Sequence, residues 1–454
     1  MRQSLADVAS ALEAGGLSAS DLAERCLEAR AKAPPGPGPY VAFDAERVRA
    51  QARAADAHVA AGRRLGPLHG VPVSLKDNFG VPGWPVYAGS AAALPERWQQ
   101  PGPVVRRLLE QAAVVTGKTL MVEFAFGGLG LNGHWGTPAN AWDAATPRVP
   151  GGSSTGAPFS LLEGSALLAL GTDTAGSVRI PASLAGLAGL KTSRGLWSIE
   201  GIVPLSPRLD SVGLLAFDAA DLAFGFAAIQ GGPVPVAVPV ASRGPVRIGR
   251  LAGPLWEGCG AGVAEAVEAA LGRLGPGFTD AGAVVLPDLD RALDVFNRGG
   301  IAGYEVARFL RAELPAWFDG LDRYVGPRVR AALSVTEEEY RARLDFLDRF
   351  AAAAQGVFAG VDVLALPTVA PTPAPLAGLE DGAAYGQANL ATLRNCAVAN
   401  LADFCAVTLP AGRDAAGLPV GLQLLGPRGG DARLLSAARA VEAALGTREA
   451  VLAS

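Results

Sequence analysis

One stretch, Pro150 to Ala182, constrains the fold of this chain more than any other; it reads PGGSSTGAPFSLLEGSALLALGTDTAGSVRIPA. Two small hydroxyl clusters, Gly151-Gly152-Ser153-Ser154 and Thr172-Asp173-Thr174-Ala175-Gly176-Ser177, flank a mostly apolar run from Pro158 to Leu170. That run is long enough to be a buried helix, so the stretch reads as strand or loop, helix and loop, with hydroxyls at both ends. Turns around a core helix would use Gly and Ser anyway. Against that plain reading, Arg179 and Pro181 follow the second cluster, a high density of polar groups between two apolar runs.

At 454 residues the chain suggests two or three domains by length, although one large domain is allowed. Half of it is hydrophobic and 18% is charged, with 58 Gly and 34 Pro, which suits a compact protein with many tight turns and excludes a disordered one. The net charge of -4 argues against a basic surface for nucleic acid. Cys26, Cys259, Cys396 and Cys405 show neither CxxC spacing nor a neighbouring His, so reduced thiols are expected and no metal site. The first residues show no basic leader before an apolar core, and no apolar segment approaches membrane-spanning length. A cytoplasmic protein without membrane association is the expectation.

Taken in order, residues 4–32 read as two helices broken at Gly15-Gly16, with Ser18 or Ser20 capping the second. A PPGPGP connector at 34–39 precedes a third helix from Ala42 to Ala61. Leu68 to Asn78 reads as a short buried strand ending in Lys76-Asp77-Asn78. A helix at Pro103 to Gln111 and a strand at Ala113 to Gly117 continue a βα alternation that favours a parallel or mixed sheet. Gly117-Lys118-Thr119 is no phosphate loop, because the motif needs glycine where Ala112 stands. Beyond the central stretch, Ser206 to Leu215 is a turn and strand, and Val234 to Arg250 marks a boundary to a second lobe. Helices at 262–274, 302–313 and 336–356, strands at Val361–Leu366 and Leu418–Leu425, and a helix at Asp431–Leu445 complete the reading.

Only His58, His69 and His134 exist, none in an acid-base context, and neither HExxH nor GxSxG occurs. What remains is a serine activated by something other than histidine. A lysine serves if burial lowers its pKa. Lys32, Lys76, Lys118 and Lys191 are the only lysines, and Lys76 ends an apolar strand. The plainer alternative has Lys76 reaching the surface and pairing with Asp77.

Val71 to Asn78, Gly151 to Ser154 and Gly171 to Ala182 together resemble the amidase signature family, and the likeness continues through Gly189-Leu190-Lys191-Thr192, Leu209-Asp210-Ser211, Asp362 to Pro367 and Gly417 to Gly421. The resemblance implies an α/β fold with a large mixed β-sheet covered by helices on both faces. It implies one domain over 1–454, with a catalytic core at about 60–215, a second lobe at about 235–360 and a segment 361–454 completing the core. Carried over by residue, it makes Ser177 the acyl-accepting nucleophile, Ser153 a bridging serine after a cis peptide, and Lys76 the base. The N–H groups of Thr174, Ala175, Gly176 and Ser177 would receive the oxyanion. Ser154 would support Ser153 by hydrogen bonding, Asp173 and Arg179 would form a structural ion pair, and Lys191 would be structural. Phe126, Gly127 and Gly128 would line the substrate pocket, made apolar by Phe124, Phe126, Trp84 and Tyr87.

Ala175 departs from the usual glycine, which would strain a backbone needing positive φ there, and Thr155-Gly156-Ala157-Pro158 departs from the usual run after Ser154. The expected activity is cleavage of a small-molecule amide, carbamate, urea or ester by serine acylation, without cofactor or metal, by a monomer or homodimer. Two alternatives stand beside it. A glutaminase subunit of a tRNA-dependent amidotransferase usually carries Gln where Ile180 stands, and a non-catalytic scaffold would be expected to have lost a member of the triad.

Overall fold

The computed structural model describes residues 3–34, 36–143, 145–232 and 244–453. Its frame is one eleven-stranded sheet among the described residues. In chain order the strands are β1 (Tyr40–Phe43), β2 (Pro72–Lys76), β3 (Val114–Thr119), β4 (Leu168–Asp173), β5 (Ala188–Lys191), β6 (Ser211–Ala216), β7 (Val246–Leu251), β8 (Phe278–Val284), β9 (Val363–Pro367), β10 (Cys405–Arg413) and β11 (Pro419–Gly426). They lie in the order β1-β3-β2-β4-β6-β5-β10-β11-β9-β7-β8. β2 runs parallel to both β3 and β4, whereas β10 is antiparallel to β5 and β11, so the sheet is mixed as expected.

Alternation along the strands explains the two covered faces. Leu168 and Leu170 of β4 join a core that includes the helices Ala219–Gln230 and Asp431–Leu445, while Ala169 between them joins the opposite core with Ala157, Leu161 and Ala182. β2 and β4 are buried along their whole length, which fits strands covered on both sides.

Several sequence readings shift. The run Pro158 to Leu170 is not one helix: the helix Gly156–Leu162 ends at a turn in which Gly164 takes φ 86, and the chain re-enters the sheet as β4. The third helix starts at Ala45 rather than Ala42, because the Asp44 side chain accepts the Arg47 N–H and caps it, leaving Tyr40–Phe43 to pair with β3 as an edge strand. The first two helices, Leu5–Glu13 and Ala19–Ala31, are where the sequence puts them, and Ser18 caps the second. The expected lobe boundary near Val234 falls largely on residues outside the described ones, as does Pro35 of the connector. No helix of the described residues is long and apolar enough to cross a membrane.

Candidate active site

β2 and β4 are parallel neighbours, so the chain leaves both on the same side of the sheet. Lys76 ends β2 and the loop 174–178 follows β4, which brings amine and hydroxyls together at the carboxyl ends of the strands, where open sheets form their crevices. Lys76 does not reach the surface: it is fully buried, and the carboxylate of Asp77 pairs with Lys118 instead. Its Nζ lies 2.7 Å from Ser153 Oγ, 2.8 Å from Thr172 Oγ1 and 3.3 Å from the Thr172 carbonyl oxygen. No carboxylate touches it among the described residues. Burial therefore pushes the amine down to about 7, against the opposing pull of the more distant Asp210 and Asp173.

Ser153 follows a cis peptide after Gly152, and its carbonyl accepts the Val122 N–H at 3.1 Å. Ser177 is nearly buried and lines a cavity. Its hydroxyl has no protein hydrogen-bond partner among the described residues; its carbonyl accepts the Ser154 N–H at 3.1 Å, which ties the two hydroxyl clusters together through the main chain. The Ser154 hydroxyl itself is buried without a partner, so the expected hydrogen bond to Ser153 is absent.

Asp173 and Arg179, both fully buried, form a forked ion pair with Nε–Oδ2 at 3.0 Å and Nη2–Oδ1 at 2.8 Å. Burial alone would raise the Asp173 carboxyl, but the Arg179 guanidinium and further donors together hold it well below the usual carboxylate range. The same carboxylate accepts the N–H groups of Gly176 and Val178, at 2.8 and 3.1 Å. That corrects one member of the expected oxyanion site: the Gly176 N–H is held by Asp173, whereas the N–H groups of Thr174, Ala175 and Ser177 have no protein acceptor among the described residues. Ala175 is not strained, since the positive φ of the loop, 120°, falls on Gly176. Asp210 closes the other side, accepting from Thr174 Oγ1 at 2.5 Å and from the N–H groups of Leu205 and Ser206, both at 3.0 Å. Burial raises its carboxyl to about 6. Lys191 is buried, with Nζ donating to the carbonyls of Thr192 and Phe404, both at 2.9 Å.

The cavity beside Ser177 holds about 340 Å³ and is walled mainly by apolar side chains, among them Phe126, Leu205, Phe296, Ile301 and Leu393. Phe126 and Gly127 line it and Gly128 does not: its N–H donates to Asn389 Oδ1 behind the wall. Three of the aromatic residues expected there are elsewhere. Phe124 is core, Trp84 lies under the Arg47 guanidinium, and Tyr87 packs edge-on against Trp135. Phe296, Arg328 and Asn389, which do line the cavity, escaped the sequence reading. They sit on ordinary helix-forming stretches far along the chain, and nothing local distinguishes them.

The family model described as Amidase matches residues 21–435. A 2-amino-5-chloromuconic acid deaminase of Comamonas testosteroni is 47% identical over 99% of this chain and 97% of its own length. The A subunit of a glutamyl-tRNA(Gln) amidotransferase from Anaeromyxobacter sp. (strain K) is 36% identical over 98% of this chain and 96% of its own. Among solved structures, a crystal structure of an amidase superposes with a TM-score of 0.83 at 33% identity, covering 98% of this chain and all of that one.

Proposed function

From the premise that the chain belongs to the amidase signature family and is a hydrolase of carbon–nitrogen bonds, we propose that it works by acylation of Ser177, with Lys76 as base and Ser153 as the bridge between them. The observation that carries this reading is Lys76: a fully buried amine with no carboxylate in contact, lowered to about 7 and 2.7 Å from the Ser153 hydroxyl. An amine so placed is about half neutral at pH 7 and increasingly so above it, and the neutral form has a lone pair to offer.

In the proposed cycle the Ser177 proton passes to Ser153 as the Ser153 proton passes to Lys76. The freed Ser177 oxygen attacks the scissile carbonyl carbon, and the charge that develops on the carbonyl oxygen meets the N–H groups of Thr174, Ala175 and Ser177. Such donors lower the barrier by about 3 kcal/mol each in other enzymes. The proton held on Lys76 returns through Ser153 to the leaving nitrogen, the carbon–nitrogen bond breaks, and water hydrolyses the acyl-enzyme by the same relay. In the resting protein the two serine hydroxyls share no hydrogen bond; the relay closes when substrate fills the cavity. Ser154 acts only through its main chain, and Asp173 with Arg179 holds the loop rather than the substrate.

The higher identity to a deaminase of a small acid than to amidotransferase subunits favours an enzyme that acts on a small molecule without a partner chain, as monomer or homodimer. Ile180, where a glutaminase subunit usually has Gln, points the same way. Four free thiols suit a cytoplasmic protein. The test is turnover of an aliphatic amide, an anilide, a carbamate and glutamine by the wild type beside Ser177→Ala and Lys76→Ala, with mass spectrometry of the intact protein during turnover. The expected result is at least one substrate cleaved, an acyl mass on Ser177, and both variants inactive. Undiminished turnover by Ser177→Ala overturns the reading.

A further inference from the structure

The cavity wall carries two hydrogen-bond donors that the acylation chemistry does not use. Arg328 is half-buried on the helix Gly326–Ala331 and lies between two rings, 4.3 Å from the centroid of Phe126 and 5.1 Å from that of Tyr385. Its Nε donates to the Tyr324 carbonyl at 3.0 Å, and its Nη2 donates to the Phe126 carbonyl and to Tyr385 Oη, the latter at 3.3 Å. Among the described residues no carboxylate pairs with it, and Nη1 has no protein acceptor. The other arginine on the wall, Arg298, is 72% exposed and already paired with Asp294.

Asn389, buried on the helix Gly382–Leu401, supplies the second donor. Its Oδ1 accepts the Gly128 N–H at 2.7 Å. A backbone N–H can only donate, so the side-chain amide is oriented with its NH₂ group directed away from the loop. That NH₂ has no protein acceptor among the described residues, and Asn389 lines the cavity. Arg328 and Asn389 thus grip the same loop two residues apart, at Phe126 and Gly128, and each keeps donor capacity over. A Cβ at Gly127 would lie 2.6 Å from Tyr385 Oη and 3.4 Å from Arg328 Nη2, so glycine lets the loop close on this pair.

A guanidinium with no carboxylate partner at the wall of an apolar cavity attracts an anion, and its free Nη1 together with the free Asn389 NH₂ offers a donor to each of the two oxygens of a carboxylate. We propose that Arg328 and Asn389 form a carboxylate clamp, and that the amide hydrolysed at Ser177 bears a carboxylate joined to the scissile carbonyl by a short apolar chain. The clamp rests on the acylation reading only for which bond is cut.

Two measurements separate the clamp from the chemistry. The first needs no turnover: calorimetric binding of pentanoate and of pentanamide to Ser177→Ala. Pentanoate is expected to bind at least about tenfold more tightly, with the preference lost in Ser177→Ala/Arg328→Met and weakened in Ser177→Ala/Asn389→Leu. The second compares kcat/KM for glutaramic acid, a dicarboxylic acid monoamide, with that for pentanamide. The wild-type ratio is expected to reach about 100, falling below about 5 in Arg328→Met, because a site built for a charged group rejects the analogue lacking it. Arg328→Lys, which keeps charge without the fork, serves if the Met variant does not fold, and an intermediate ratio is expected. Equal binding of the two probes, or a preference that survives loss of Arg328, overturns the clamp. If no amide is cleaved while Arg328-dependent pentanoate binding persists, the acylation reading fails and the clamp stands; if amides are cleaved without carboxylate preference, the clamp fails and the acylation reading stands.

Discussion

Two lysines lie in adjacent parallel strands, one residue out of step: Lys118 of β3 pairs with Leu75, and Lys76 of β2 with Thr119. Both are fully buried, and burial pushes both amines down. Their surroundings differ in one respect. Lys118 Nζ lies 3.5 Å from Asp77 Oδ1, and Asp77 is itself held by the N–H groups of Tyr87 and Gly89. Burial raises Asp77 to about 6, and its carboxylate opposes the lowering that burial imposes on Lys118. Lys76 instead meets two hydroxyls and a carbonyl, because the nearest carboxylates are committed elsewhere, Asp173 to Arg179 and Asp210 to Thr174. Two equally buried lysines thus differ in whether an anion is left for them: Lys118 sits in an ion pair, and Lys76 is left for the role of base that we propose.

The comparison is tested most severely by Lys76→Met, which should lower kcat/KM by about 10³-fold or more while the protein melts no earlier than wild type. A variant that keeps its activity would end the assignment of Lys76 as base. Lys118→Met should do the opposite. It strands the Asp77 carboxylate in the interior and should cost about 3 to 5 kcal/mol in denaturant unfolding, with much of that recovered when Asp77→Asn is added. A loss of activity per folded molecule as large as that of Lys76→Met would erase the distinction between the two sites. In the wild type, kcat/KM should rise with pH around a midpoint near 7, since below it the Lys76 ammonium has no lone pair and above it the amine is free. The smallest effect belongs to Asp210→Asn. Its carboxylate favours the Lys76 ammonium, so its removal should move that midpoint down by roughly a few tenths of a pH unit. An upward shift would mean that Asp210 governs Lys76 through geometry rather than charge.

Much of the site is legible in the chain because its parts are local. The apolar strand ending at Lys76, the serine clusters at 151–154 and 172–177, and Asp173 with Arg179 six residues on are each short motifs readable one by one, although only folding brings Lys76 to Ser153, 77 residues away. Local pattern fails where a turn competes with periodicity. An apolar run from Pro158 to Leu170 cannot show that Gly164 turns it from helix to strand, nor does Ala-rich sequence around Asp44 show that an edge strand forms first. The helix Gly382–Leu401 and the strand Cys405–Arg413 went unread although both pack near the site.

The sequence by itself determined the family, the mixed sheet and the three groups we assign to acylation. Tertiary structure alone decided which buried lysine would lack an anion, that Asp173 would occupy the Gly176 N–H, and which side chains would wall the cavity. The reason is separation along the chain: Arg328 meets Phe126 across 202 residues and Asn389 meets Gly128 across 261. A helix carrying either residue forms equally well wherever it packs, so only the packing makes the arginine and the asparagine face a cavity.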